Sequence, residues 1–189
     1  MSRLFAGSLL APALALALAP ALHAAPPAAQ PGLTLTTTAF HDGGVIPNKF
    51  TQDASTPVSP PLEWSHVPEG TVSFAIVVDD PDTALRHTTD EVLHWLIFNI
   101  PGSSRSLPEN VPHDPTLPDG AIQGKNSGGV TGFRGPGAPA AGPYHHYLFQ
   151  IYALDTKLSL GPDATREELL KAMDGHILAK GALVGRFQR

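Results

Sequence analysis

The sequence predicts a mainly β domain with a single short helix near its C-terminal end. Three observations lead there. The chain of 189 residues carries 18 glycines and 20 prolines, which punctuate it densely. The stretches between these breaks are short and rich in β-branched and aromatic residues. One stretch alone pairs a helix start signal with helical spacing of its apolar residues.

The first 24 residues read as a secretory signal. Arg3 is the one charge there, an apolar Leu/Ala run follows, and small residues close the segment. The run is shorter than a bilayer needs, and Pro12 and Pro20 interrupt it, so cleavage is expected rather than anchoring. No cysteine follows, which argues against a lipid anchor. Residues 25–32 are a Pro/Ala-rich linker, and residues 33–189 form one domain. The formal net charge of −5 becomes one unit more negative once Arg3 is removed. Such a chain has no general attraction for nucleic acid or anionic membranes, and no stable membrane insertion is expected after cleavage. It contains no cysteine, so the core must stabilise the fold without disulfides.

Strands are expected at residues 33–38, 72–78, 93–100, 146–154 and 183–188. Residues 72–78 are too apolar for a strand with one face in water and should be buried on both. Thr165 and Glu168 form a T-x-x-E capping box ahead of Leu169, Leu170, Met173 and Ile177, which recur at helical spacing. Residues 107–139 hold too many glycines and prolines for regular structure and should form a long ordered loop, the usual carrier of function.

Common enzyme signatures are missing. Gly120 to Lys125 is one residue too short for a phosphate-binding loop, and Asn126 stands where Ser or Thr would reach magnesium. There is no G-x-S-x-G elbow and no H-E-x-x-H helix. What remains is Ser59-Pro60-Pro61-Leu62-Glu63-Trp64, then Asp79-Asp80-Pro81-Asp82, His94-Trp95, and a glycine loop leading to His145-His146-Tyr147. Alternation along a strand puts His145 and Tyr147 on one face and His146 on the other. Two imidazoles and a phenol can donate to anionic oxygens, and Asp80 can orient a histidine or meet an ammonium.

In order and spacing, these blocks resemble the phosphatidylethanolamine-binding protein family, also called Raf kinase inhibitor-like proteins, in its bacterial branch. Phe40-His41-Asp42-Gly43-Gly44-Val45-Ile46-Pro47 resembles the family's opening pattern, and Asp80-Pro81-Asp82 its D-P-D signature. His94-Trp95 leads into Phe98-Asn99-Ile100-Pro101 as in its H-W strand. Gln123-Gly124-Lys125-Asn126, Gly132-Phe133-Arg134-Gly135-Pro136 and His145-His146-Tyr147 resemble its Q-G-x-N, G-Y-x-G-P and H-[RH]-Y blocks. The resemblance runs from Phe40 to Arg189.

It implies two packed antiparallel sheets, a PEBP-like β-sandwich, with a few short peripheral helices. It also implies a small cleft for anionic or zwitterionic ligands such as phosphate or a phospholipid headgroup. The ligand-binding residues carried over are Asp80, His94, Gly135, Gly137, His145 and Tyr147. Asp82 is expected to close its turn and His146 to lie outside the cleft. His41, His66, His87, His113 and His176 carry no functional expectation. There are departures. Ala84 after Thr83 stands where the family has proline, which bears on the rigidity of one cleft wall. Gln52 and Gly137 replace cysteines of bacterial members, and the second loss is expected to widen the opening. The chain stops after Phe187-Gln188-Arg189, without the extra C-terminal helix of animal members, so an open cleft is expected on that side.

The expectation is therefore a periplasmic or secreted binding protein and not an enzyme, with no catalytic residue, metal or cofactor. Its partner would be a small phosphorylated or zwitterionic ligand, while a protein partner and a homodimer stay open. Two alternatives use the same cleft: phosphoester hydrolysis by Asp80 beside His94, or an open metal site of Asp80, His94 and His145.

Overall fold

Strand β4 (Ser73–Asp80) is buried along its whole length, and the rest of the fold is arranged around it. In chain order the other elements are β1 (Thr34–Thr36), β2 (Gly44–Val45), a 3-10 turn (Asn48–Phe50), β3 (Leu62–Ser65), β5 (Val92–Pro101), β6 (Ser106–Leu107), β7 (Ile122–Gln123), β8 (His145–Leu154), α1 (Arg166–Met173) and β9 (Ile177–Phe187). The computed structural model describes residues 31–82 and 89–189, all within one unit. The signal segment 1–24, most of the linker, and Thr83, Ala84 and His87 lie outside the described residues.

The strands make two sheets, one ordered β1-β3-β6 and the other β2-β9-β8-β4-β5-β7. Every pairing is antiparallel except β2 with β9, which is parallel. The sheets pack face to face over one core, in which Phe74, Ile76 and Val78 of β4 and Phe149 and Ile151 of β8 meet Leu35, Leu62 and Trp64 of the smaller sheet. Ala75 and Val77, on the opposite face of β4, join Leu96, Phe98 and Leu154 in a second core, closed by Leu158, Leu169 and Met173. Cover on both faces explains the unbroken apolar run read from residues 72–78.

Helix α1 begins as its capping box requires. Thr165 accepts from the Glu168 amide, and the Glu168 side chain accepts from the Thr165 amide. Leu169 and Met173 face inward, but Ile177 does not continue the stripe. The chain turns after Asp174 with Gly175 at φ +80°, and Ile177 opens β9, exposed. The strand expected at 183–188 therefore starts six residues earlier. The loop expected over 107–139 is largely irregular, holding only the end of β6, short β7 and two isolated bridges.

Two irregularities interrupt the β4–β5 pairing. Trp95 pairs with Val78 but Leu93 pairs with Asp79, so His94 is an extra residue on its strand. A bulge of this kind lets consecutive side chains turn to one face. Trp95 enters the core between the sheets, and His94 turns to the same side, against Tyr147, while Leu93 and Leu96 go to the other. The second irregularity lies at Asn99 (φ +57°), whose side-chain amide exchanges hydrogen bonds of 2.8 and 2.9 Å with the backbone of Leu158.

Candidate functional site

The ends of three neighbouring strands make the floor of a cleft of about 430 Å³: Asp80 from β4, His94 from β5 and His145 from β8. The chain around Arg134, Gly137, Ala138 and Pro139 forms a wall, and Gln52, Val92 and Ser127 complete the lining. The acidic pair at the end of β4 is divided by strand alternation. Asp79 faces the helix side and takes two hydrogen bonds from Arg166 Nε, at 3.1 and 3.0 Å. Asp80 faces the cleft.

Both oxygens of Asp80 are engaged. Its Oδ1 accepts the amide of Asp82 at 2.9 Å, and its Oδ2 lies 2.8 Å from Nδ1 of His145. The hydrolytic alternative paired Asp80 with His94; its hydrogen-bonded histidine is His145. Asp82 closes the turn as expected, and its Oδ2 accepts from the His146 amide at 2.6 Å and from His146 Nδ1 at 2.7 Å. These bonds outweigh partial burial and lower the Asp82 pKa. His146 is exposed, on the opposite side of β8 from His145 and Tyr147.

His94 ties the wall to the floor. Its Nδ1–H donates to the Arg134 carbonyl at 2.8 Å, and the Arg134 amide donates back to the His94 carbonyl at 2.8 Å. Burial holds the His94 pKa below the ordinary imidazole value, against the pull of that carbonyl and of Asp80. The ring is therefore neutral at pH 7, with the proton on Nδ1.

Tyr147 lies under the cleft rather than along it, edge-on to His94 with ring centroids 5.0 Å apart. Burial first, and the Asp80 carboxylate second, push its pKa well above the ordinary range, while the amides of Gly137 and Ala138 pull it back. It is a phenol, a donor. Among the described residues, Tyr147 Oη and His145 Nε2 are the buried side-chain polar atoms without a hydrogen-bond partner. Both belong to residues that sequence reasoning assigned to ligand binding.

The two glycines have separate roles. A Cβ at Gly135 would sit 2.9 Å from the Phe50 carbonyl oxygen, so glycine is needed there for close backbone approach. Gly135 itself lines a neighbouring, more apolar pocket of about 360 Å³ rather than the cleft. A Cβ at Gly137 would meet the carboxamide of Gln52 at 2.5 Å. Gln52 thus occupies the space beside Gly137, donating from Nε2 to the Gly135 carbonyl at 2.9 Å and from its amide to the Pro136 carbonyl at 2.8 Å. The widening expected from loss of a cysteine at 137 is countered by the residue that replaces the other cysteine.

Sequence reasoning missed Arg134, Ser127 and the lining role of Gln52. Gln52 was visible as a departure. Arg134 sits at the open position of the G-Y-x-G-P block, where a motif carries no signal. Among the described residues, no group of three His, Asp or Glu side chains is arranged to hold a metal ion, and no helix is long and apolar enough to cross a membrane.

Residues 36–188 match the family profile of phosphatidylethanolamine-binding protein. A UPF0098 protein of Methanothermobacter thermautotrophicus is 46% identical over 157 residues, covering 83% of this chain and 99% of its own. The Mycobacterium tuberculosis protein named as lipoprotein LppC is 37% identical, over 86% of this chain and 75% of its own. Among solved structures, the phosphatidylethanolamine-binding protein homologue CT736 of Chlamydia trachomatis superposes with a TM-score of 0.74 at 35% identity, over 84% of this chain and 98% of that one. E. coli YbcL, described as a new member of the mammalian PEBP family, gives 0.75 at 30% identity, over 84% and 99%.

Proposed function

The chain belongs to the phosphatidylethanolamine-binding protein family, and on that premise we propose that it is an exported binding protein whose cleft holds a small phosphorylated or zwitterionic ligand. The observation that carries this reading is the pair of buried, unpartnered polar atoms, His145 Nε2 and Tyr147 Oη. Leaving such atoms unpaired costs about 1–3 kcal/mol each, so each calls for a partner, and two beside one cleft are consistent with a bound ligand. The amides of Gly137 and Ala138 approach the same phenol oxygen. The Tyr147 hydroxyl and these amides can donate to an anionic oxygen, while His145 Nε2, with Nδ1–H given to Asp80, can accept from a hydroxyl or N–H of the ligand.

Binding without turnover is part of the proposal. The Asp80–His145 contact also has the form of an oriented general base, which keeps phosphoester hydrolysis as a second reading. Export rests on the signal-like residues 1–24 and agrees with the lipoprotein name of one relative. The periplasm or the medium is the proposed location, and a protein partner could use the same cleft.

The test is a thermal-shift and NMR titration of residues 25–189 with phosphate, O-phosphoethanolamine and acetate, using His145→Ala as control. A ligand that binds the folded state raises the melting temperature by mass action. Shifts of the His94 and His145 ring signals that disappear in the variant support the cleft. No response to any probe removes the small-ligand reading. Turnover of a phosphoester panel, abolished by Asp80→Asn, would favour hydrolysis instead.

A further inference from the structure

We propose that Arg134 makes the cleft selective for phosphomonoesters over phosphodiesters, by reading the second negative charge of the monoester. This rests on the cleft being an anion site, and it names the class of ligand that site takes.

Few charges face the cleft. Asp80 is the acidic side chain among the described lining residues, and both its oxygens are already engaged, by the Asp82 amide and by His145. The ammonium group of a zwitterionic headgroup would have to share the Asp80 carboxylate with the Asp82 amide and His145. His94 is neutral at pH 7 and is bound through Nδ1 to the backbone. Among the described lining residues, the permanent positive charge is Arg134.

Arg134 is half-buried, and among the described residues no carboxylate forms an ion pair with it. Its backbone is fixed on both sides by the bonds to His94. Its side chain runs beside Gly128, where an added Cβ would lie 3.5 Å from both Cδ and Nη1. Arg134 lines the cleft and also the adjoining apolar pocket, so it stands as the partition between them. Its charge reaches the cleft floor, since it acts with burial to depress the His94 pKa.

A guanidinium binds two oxygens of a phosphate in a fork, and it does so best when both carry charge. A diester presents one negative charge, which the Tyr147 hydroxyl and the amides of Gly137 and Ala138 can meet. A monoester presents a second, for which Arg134 is the available cation among the described lining residues. The one open position of the G-Y-x-G-P block thereby becomes a specificity position.

The experiment compares methyl phosphate, dimethyl phosphate and glycerophosphoethanolamine by calorimetry and NMR at pH 8, where a monoester is dianionic. The wild-type protein is expected to bind methyl phosphate at least about tenfold more tightly than either diester. Arg134→Gln, which keeps length and hydrogen bonding but not charge, is expected to bring that ratio to within about threefold. Its affinity for dimethyl phosphate should fall by much less than its affinity for methyl phosphate. Equal wild-type affinity for monoester and diester overturns the proposal, as does a ratio that survives Arg134→Gln. If the wild-type protein binds none of the three esters, the anion cleft itself falls and this inference with it. Binding with an unaltered ratio removes the inference about Arg134 alone.

Discussion

The Asp80 carboxylate lies 2.8 Å from Nδ1 of His145, with both side chains almost wholly buried, and this contact decides which nitrogen the ring has free. With Nδ1–H donated to Asp80, Nε2 is left without a protein partner. Asp80→Ala should leave Nδ1 buried and unsatisfied, at a cost of about 1–3 kcal/mol in stability. Phosphate affinity should fall at least about tenfold as the ring loses its orientation. Asp80→Asn keeps an acceptor and should fall between the two. The 15N shifts of the His145 ring check this directly. A Nδ1–H tautomer that persists in Asp80→Ala would show that something other than Asp80 orients the ring.

The second carboxylate of that strand end has a structural duty. Burial raises the Asp79 pKa, and the hydrogen bonds and charge of Arg166 pull it back. Arg166 also meets Glu91 at 2.8 Å and so ties helix α1 to the starts and ends of two strands. Arg166→Ala leaves a buried carboxylate with Gln150 as a distant donor at 3.4 Å. Because Arg166 is about a third exposed, the loss at pH 7 is reduced by solvent screening, to about 2 kcal/mol. The sign with pH follows from the raised pKa. Folded Asp79 holds its proton to higher pH than unfolded Asp79, so stability falls as pH rises through that interval, and further in the variant. The deficit of Arg166→Ala should therefore be larger at pH 7 than at pH 4, measured by chemical denaturation. An equal deficit at both would place its origin in helix packing.

His94 predicts an acid-side slope. Its folded pKa lies below the ordinary imidazole value because of burial. Between that folded value and about pH 6.5, the unfolded chain holds a proton on this ring and the native chain does not. Stability contributed by this group therefore falls as pH drops through that window, by at most about 1.4 kcal/mol per pH unit, and is flat above it. His94→Gln should be less stable throughout, with a shallower slope in the same window. Denaturation midpoints between pH 4.5 and 7.5 measure the difference. An identical slope in both proteins would mean that His94 titrates normally in the fold.

The bulge that aims His94 was not legible in the sequence. Strict alternation places His94 and Trp95 on opposite faces, and only the pairing register with β4 reveals the extra residue. Alternation did serve for His145, His146 and Tyr147, because β8 keeps an unbroken register with β9 over these residues. The buried character of β4 was legible because two cores draw on opposite faces of one strand, which demands apolar residues at every position. Ile177 was misread because helical spacing continues across Gly175, whereas the backbone does not. The long loop was legible as irregular, but not its inner geometry. The separate duties of Gly135 and Gly137 depend on Phe50 and Gln52, more than 80 residues away in the chain.

That last pair gives the most specific packing prediction. Gln52 fills the space against Gly137 and donates to the Gly135 carbonyl at 2.9 Å, so one side chain fixes Gly137 in the cleft wall and Gly135 in the adjoining pocket. Gly137→Ala would put a methyl 2.5 Å from the Gln52 carboxamide, and the flexible end of that side chain has to move. The movement sacrifices the bond to Gly135, at about 1 kcal/mol, and loosens the wall. Gln52→Ala loses the same bond for a different reason. The two changes act on one interaction, so the double variant should be more stable than the sum of the singles implies, by about 0.5–1 kcal/mol. Denaturation of all four proteins closes the cycle, and phosphate titration of each reports on the wall. Additive losses, with unchanged phosphate affinity in Gln52→Ala, would mean that Gln52 fills space without positioning the cleft. Coupled losses, with weaker phosphate binding in both single variants, would identify Gln52 as the residue that holds the glycine wall in place.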